Sequence, residues 1–241
     1  MNSYKLSIAY DGTNYFGFQK QKNKPTIQGK LEEALNLLMD SYELNYSGRT
    51  DAGVHAKSQI VNIRTDLILD SQKISSLNKI LGDSISINSF KVVSSNFHAR
   101  YGATERTYKY LVRDSKSNYP HLNQNTYQHY SLLNLEDLNK VAKLFIGEHN
   151  FSSFSRVEKF NNPERRIVSS KWIKKNEIYE YTIIANSFLR NMVRNIVGVQ
   201  LAYSDQKISF KDILNELKKP SGERLNFIAP AHGLILWKVK Y

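Results

Sequence analysis

Hydrophobic and polar positions alternate along residues 3–10, with Tyr4, Leu6 and Ile8 on one side, so the chain opens on a half-buried strand. Asp11-Gly12 breaks it. The stretch that follows, TNYFGFQKQKNKP, mixes aromatics, amides and lysines and reads as a surface loop suited to a phosphate backbone and to bases. From Thr26, which can cap free amides, the spacing becomes helical, with Ile27, Leu31, Ala34, Leu35 and Leu38 on one stripe. YELNYS and AKSQIVNIRTD return to a strand pattern, on either side of the loop GRTDAGVH. Residues 71–81 predict a helix through Ile74, Leu77 and Leu81, and SISINSFKVV predicts a strand with Ile85 and Ile87 inward.

The second half repeats the mixture. Phe97–Arg100 reads as a loop leading into a strand over Thr104–Val112. Residues 115–130 carry no periodicity and form the most plausible connector. A helix is predicted from Asn134, which caps with Asp137, through Leu135, Leu138, Val141, Ala142 and Phe145. HNFSSFSRVEKFNNPER is expected to be a loop, and RIVSSKWI and IYEYTIIAN a hairpin around KKNE. SFLRNMVRNIVGVQLAY predicts a helix with Phe188, Met192, Asn195, Ile196 and Val199 along one side. Ser209 and Asp212 open a short helix to Leu217, and GLILWKVKY is a closing strand with Leu234 and Leu236 on one face. The pattern is α+β, helices covering a mainly antiparallel sheet, with a subdomain boundary expected between residues 1–114 and 115–241.

Composition changes this picture in one direction. Over 241 residues the net charge is +12, which favours a polyanionic partner, nucleic acid above all. Fifteen tyrosines and 11 phenylalanines add faces on which unpaired bases can stack, although most must serve the core. Zero cysteines exclude disulfides and thiolate chemistry. No apolar run approaches bilayer length and MNSYKLSIAYDG lacks a signal-peptide core, so the expected location is the cytoplasm, with no membrane attachment.

The candidate chemistry lies in YSGRTDAGVHA. Gly48 and Gly53 allow tight turns and close approach of a ligand, and between them stand Arg49, Thr50 and Asp51. Asp and Gly are also ordinary turn residues, so the loop alone reads first as a turn and only second as a site. Arg194 interrupts an apolar helix, and a cation on a buried stripe needs an anion. Asp51 is a candidate, and an arginine partner would keep it ionised, as suits a nucleophile or base. His55 invites a metal reading with Asp51, but the six histidines are scattered without HxH, HxxxH or HExxH spacing. Phosphate-loop, dinucleotide and nucleophile-elbow motifs are absent. The residues themselves leave open an RNA enzyme, a noncatalytic RNA binder, and a metal-dependent RNA hydrolase using Asp51 and His55.

The motifs resemble one family. YSGRTDAGVHA, YDGTNYFGFQKQ, FHARYGATERTYKY, HNFSSF, FLRNMVRNIVG and APAHGLIL are similar, in order, to the blocks of the tRNA pseudouridine synthase A (TruA) family. The resemblance implies two related α+β subdomains sharing a continuous, mostly antiparallel sheet with a basic cleft between them. It implies isomerisation of uridine to pseudouridine in the anticodon arm of tRNA, at nucleotides 38, 39 and 40, by a homodimer using no cofactor and no metal. Carried over by position, Asp51 matches the essential aspartate and Tyr108 the tyrosine that stacks on the target uracil. Arg49 matches the arginine that helps extrude the base, Arg194 the arginine paired with the aspartate, and Leu234 an apolar residue lining the base pocket. Phe18 stands where the family more often has tryptophan, and Lys20 where it more often has arginine.

Overall fold

The computed structural model describes residues 1–156 and 162–241. In chain order the first elements are β1 (Asn2–Tyr10), α1 (Ile27–Asn36), β2 (Glu43–Tyr46), β3 (His55–Thr65), α2 (Ser71–Leu81) and β4 (Ile85–Val93). Then come β5 (Glu105–Arg113), β6 (Tyr127–Gln128), α3 (Leu135–Ala142), β7 (Gly147–Asn150), β8 (Glu164–Lys175) and β9 (Ile178–Ala185). The last are α4 (Met192–Ser204), α5 (Phe210–Lys218) and β10 (Leu234–Lys240). The α+β class holds, with mostly antiparallel strands and helices packed on them. Two compact units can be distinguished, Met1–Thr104 with Ile235–Tyr241, and Glu105–Leu234. Strand β5, which the sequence analysis sets before its boundary, hydrogen-bonds along its length to β9 and so counts with the second unit.

In the first unit the strand order is β4-β1-β3-β10, with β2 on β3. The alternation seen in the sequence is the cause of the packing: Tyr4, Leu6, Ile8 and Tyr10 are buried, while Lys5, Ser7 and Ala9 between them are not. Each fully buried side chain of the size of Leu6 or Ile8 contributes about 1.5–3 kcal/mol. Helix α1 starts where Thr26 accepts Gly29 N–H, and α2 where Asp70 accepts Lys73 N–H. Their apolar stripes (Ile27, Leu31, Ala34, Leu35, and Ile74, Leu77, Leu81) are buried as predicted, except that Leu38 lies past the end of α1 at Asn36 and is only half-buried. In β3 the alternation fails, because Ile60, Val61, Asn62 and Ile63 are all buried. Asn62 is tolerated there because its amide donates to Ser3 Oγ and Tyr4 O.

In the second unit the order is β5-β9-β8-β7, with β6 beside β5. The hairpin β8–β9 turns at Asn176, whose φ is 53°. Helix α4 differs from expectation. It begins at Met192, not near Ser187, because Asn191 takes a left-handed φ of 61° and Arg190 bridges to Arg156. From Met192 to Ala202 only Arg194 escapes full burial, so the helix is enclosed on all sides rather than amphipathic. Its polar Gln200 is satisfied by the Trp172 indole N–H at 2.7 Å and by Ile196 O at 3.0 Å. The loop expected over residues 149–165 contains the end of β7 and the start of β8; its residues 157–161 lie outside those described.

The segment without periodicity, 115–130, is ordered around one side chain. Arg113 is fully buried, and its guanidinium donates to Thr126 Oγ1, Ser117 O, Tyr119 O and the Asn123 side-chain oxygen. Burial lowers its pKa from the ordinary arginine value. The Arg113→Met variant strands several acceptors in a dry site, and we expect it to lower unfolding free energy by about 2–4 kcal/mol. Urea denaturation measures that loss, and limited proteolysis of the variant should cut first within residues 115–126.

Candidate active site

The loop Ser47–Val54 joins β2 to β3, two antiparallel strands registered Glu43↔Arg64 to Tyr46↔Val61. Beyond Tyr46 the pairing with β2 ends, and a buried glutamine of β3 suspends the chain from the sheet. Gln59 accepts the Ser47 hydroxyl on its Oε1 and donates through Nε2 to Gly48 O at 2.7 Å. Ser47 N–H adds a bond to Ile60 O at 2.9 Å. Gln59 was not singled out in the sequence, and no periodicity marks it, because residues 59–63 are all buried.

The other side of the loop rests on the aromatic segment after β1. Phe18 N–H donates to Thr50 O at 3.1 Å and Gly53 N–H to Tyr15 O at 3.3 Å, one on each side of Asp51. The hydroxyls of Tyr10 and Thr50 are 2.8 Å apart. The backbones approach so closely that two glycines are obligatory. A Cβ at Gly12 would lie 2.1 Å from Val54 O, and one at Gly17, where φ is +89°, would lie 2.6 Å from Thr50 O. Gly53 has a φ of 76°, which the loop's turn requires. Gly48 has no such need, since a Cβ there would meet nothing within 4 Å. Phe18 is a core residue, its ring 4.6 Å from that of Tyr46 and 6.1 Å from that of Tyr10. The departure from tryptophan is therefore a matter of packing. Lys20 is on the surface, paired to Glu32 at 2.7 Å.

Within this frame Arg49 is exposed and Asp51 half-buried, with Asp51 O accepting Val54 N–H at 3.2 Å. His55, the first residue of β3, is buried, and its Nδ1 lies 3.1 Å from Gly12 N and 3.1 Å from Asp11 Oδ1. Among the described residues no group of three carboxylate or imidazole side chains converges to hold a metal ion. Asp11 also receives the Thr13 N–H at 2.9 Å and the Thr13 hydroxyl at 2.6 Å. Partial burial pushes its pKa up, but the hydrogen bonds from Thr13 lead the contacts that hold the carboxyl below its ordinary value.

The remaining candidates lie in the second unit. Tyr108 is on β5, registered with Ile183, and its ring meets Phe188 edge-on at 5.2 Å and 89°. It is 9% exposed, more enclosed than a surface stacking residue. Arg194 is on the first turns of α4, where its Nε donates to Ala229 O at 2.8 Å while its own carbonyl accepts Ala229 N–H at 3.0 Å. This reciprocal brace joins NMVRNIVG to APAHG. Gly198 and Gly233 permit it, for a Cβ at Gly198 would lie 2.2 Å from Phe227 O and one at Gly233 2.6 Å from the Tyr110 ring. Tyr110 donates to Pro230 O at 2.7 Å, and burial raises its pKa well above the ordinary tyrosine value. Leu234, which follows Gly233 and opens β10, is buried.

An α+β scaffold that uses glycine to seat an Arg-Thr-Asp loop against its own backbone matches known proteins over the whole chain. The sequence profile of the tRNA pseudouridine synthase family matches residues 6–102 and 141–241. A tRNA pseudouridine synthase A from Dictyoglomus thermophilum is 38% identical over 248 residues, covering 100% of each chain. One from Borreliella afzelii is 39% identical over 246 residues, again covering 100% of each. A solved Cbf5–Nop10–Gar1 complex gives a TM-score of 0.42 at 7% identity over 82% of this chain and 44% of that one, and nothing is argued from it. The chain belongs to the tRNA pseudouridine synthase family, and within it to the tRNA pseudouridine synthase A group. It is accordingly an isomerase. Among the described residues no helix is long and apolar enough to cross a membrane.

Two outcomes are expected from this geometry. Gly17→Ala drives a Cβ into Thr50 O at a positive φ, and should cost about 2 kcal/mol or more of stability and most of the activity, read by thermal melting and turnover. Asp11 binds its proton less tightly folded than unfolded, so its stabilisation is present above the unfolded carboxyl pKa and lost as pH falls. Asp11→Asn should thus be less stable than wild type at neutral pH and equal to it once the pH has fallen below the folded pKa of Asp11, as acid titration of the melting temperature would show.

Proposed function

We propose that the chain isomerises uridine to pseudouridine in the anticodon arm of tRNA, at nucleotides 38, 39 and 40, working as a homodimer in the cytoplasm. Asp51 is the nucleophile. The observation that carries this reading is the seating of the GRTDAGVH loop, where bonds from Phe18 and Gly53 flank Asp51. A loop with only a turn to make has no need for two glycines of a separate segment to admit its backbone.

The reaction breaks the N1–C1′ bond, turns the uracil and joins C5 to C1′. A proton leaves C5 and one is gained at N1, so the product has the mass of the substrate. The base must first leave its stack, at a cost of a few kcal/mol. Arg49, exposed at the loop, fills the vacated space and contacts phosphates. Tyr108 gives the flipped base a stacking face worth about 1–3 kcal/mol. Arg194 is the cation that pairs with the aspartate, and Leu234 is part of the apolar wall of the base pocket. The net charge of +12 supplies the attraction for RNA, with the salt dependence that counterion release imposes.

Asp51→Asn should lower pseudouridine formation in a tRNA transcript by about a thousandfold or more, while tRNA affinity stays within about threefold. Undiminished turnover by this variant would sink the nucleophile assignment. Strand cleavage abolished by a chelator would instead favour a hydrolase using Asp51 and His55. Light scattering of the free protein tests the dimer.

A further inference from the structure

Four residues after Asp51, His55 is buried at the start of β3 and held there by pairing with Ile235 of β10. Two groups compete for its Nδ1 at equal distance, the Gly12 N–H and the Asp11 carboxylate, both at 3.1 Å. A bare Nδ1 accepts from Gly12, whereas a protonated one donates to Asp11, and it cannot do both. Asp11 Oδ1 already takes two hydrogens from Thr13. The Gly12 amide is buried, and a buried N–H left without an acceptor carries the full desolvation penalty. The contact with Gly12 is therefore the stronger claim on Nδ1, and the contact with Asp11 is secondary.

Building on the synthase reading, we propose that His55 is a positioning residue for the isomerisation: its bare Nδ1 fixes the Asp11–Gly12 turn, and through that turn the segment against which Asp51 is set. The path is short and made of backbone. Gly12 lies against Val54 O with no room for a Cβ. Gly12 O accepts Tyr15 N–H at 3.0 Å, Tyr15 O accepts Gly53 N–H at 3.3 Å, and Phe18 N–H reaches Thr50 O at 3.1 Å. Asp51 is thus bracketed by bonds to a segment whose first turn His55 holds. Without that acceptor the segment keeps its aromatic packing but loses its fixed origin, and the carboxylate moves relative to the reacting carbon. RNA-binding groups elsewhere are untouched, so the loss falls on turnover and not on grip.

The contrast that tests this is between two near-isosteric amides. The carbonyl of His55→Asn can occupy the place of Nδ1 and accept from Gly12, whereas that of His55→Gln reaches the place of Nε2 and leaves Nδ1's position without an acceptor. On a tRNA transcript, His55→Gln and His55→Ala should lose about ten- to a hundredfold in kcat with KM within about threefold, and His55→Asn should stay within about threefold of wild type in both. Melting temperatures measured alongside should fall further in His55→Gln, which leaves the buried Gly12 N–H without an acceptor, than in His55→Asn, and this pair suffices if His55→Ala does not fold. Equal losses in His55→Asn and His55→Gln, wild-type kcat in His55→Gln, or a loss confined to KM would each overturn the proposal. A wild-type protein that forms no pseudouridine would count against the synthase reading instead.

Discussion

The first unit depends on a seam between two stretches of bare backbone. Residues 12–18 and 50–54 lie so close that Gly12 and Gly17 leave no space for a side chain, and the amides of Phe18 and Gly53 bond across the seam. Most loops are positioned by side chains, which can change rotamer. Here the main chains themselves are in contact, so the backbone that carries Asp51 can shift only if a peptide of the neighbouring segment shifts with it. That is the rigidity a carboxylate needs if it is to meet a reacting carbon within a fraction of an ångström. The scaffold beneath follows from it: β1 delivers the first stretch, the β2–β3 hairpin delivers the second, and Tyr10 links them through Thr50.

The second unit solves a related problem with a different device. Helix α4 is enclosed on nearly every side, and the chain after α5 is laid against it through Gly198 and the mutual bonds of Arg194 and Ala229. Through its Nε and its own carbonyl, Arg194 orders a neighbouring segment. Tyr108 is steadied in the same unit by the edge of Phe188. Both residues are thus anchored by local contacts, which leave them little conformational freedom.

The elements themselves were legible from periodicity, because β1, α1, α2 and α3 each bury one face and the alternation or stripe shows which. What periodicity could not show were features that break it. Strand β3 buries both faces, so its pattern runs together at Ile60–Ile63. Helix α4 has no polar face to mark its beginning, and Asn191 sets that point by backbone conformation alone. The segment 115–130 is organised by a single long side chain from before it, Arg113, and such a centre leaves no repeat in the sequence. In the loop, Asp51 and Arg49 stand out in the sequence as candidates for chemistry. The reason for Gly12 and Gly17 was not, since it lies in distances between segments that are more than 30 residues apart.

The groups that suspend the loop are nearly all neutral. Gln59 holds Ser47 and Gly48 by its amide, Tyr10 holds Thr50 by a hydroxyl, and the seam is made of peptides. Contacts with a polyanion weaken steeply as salt rises, because each displaced counterion is returned. Bonds between uncharged, buried groups are scarcely screened. Ionic strength can therefore govern how long an RNA stays without altering the shape it finds, and the protein can let go of its partner while the carboxylate keeps its aim.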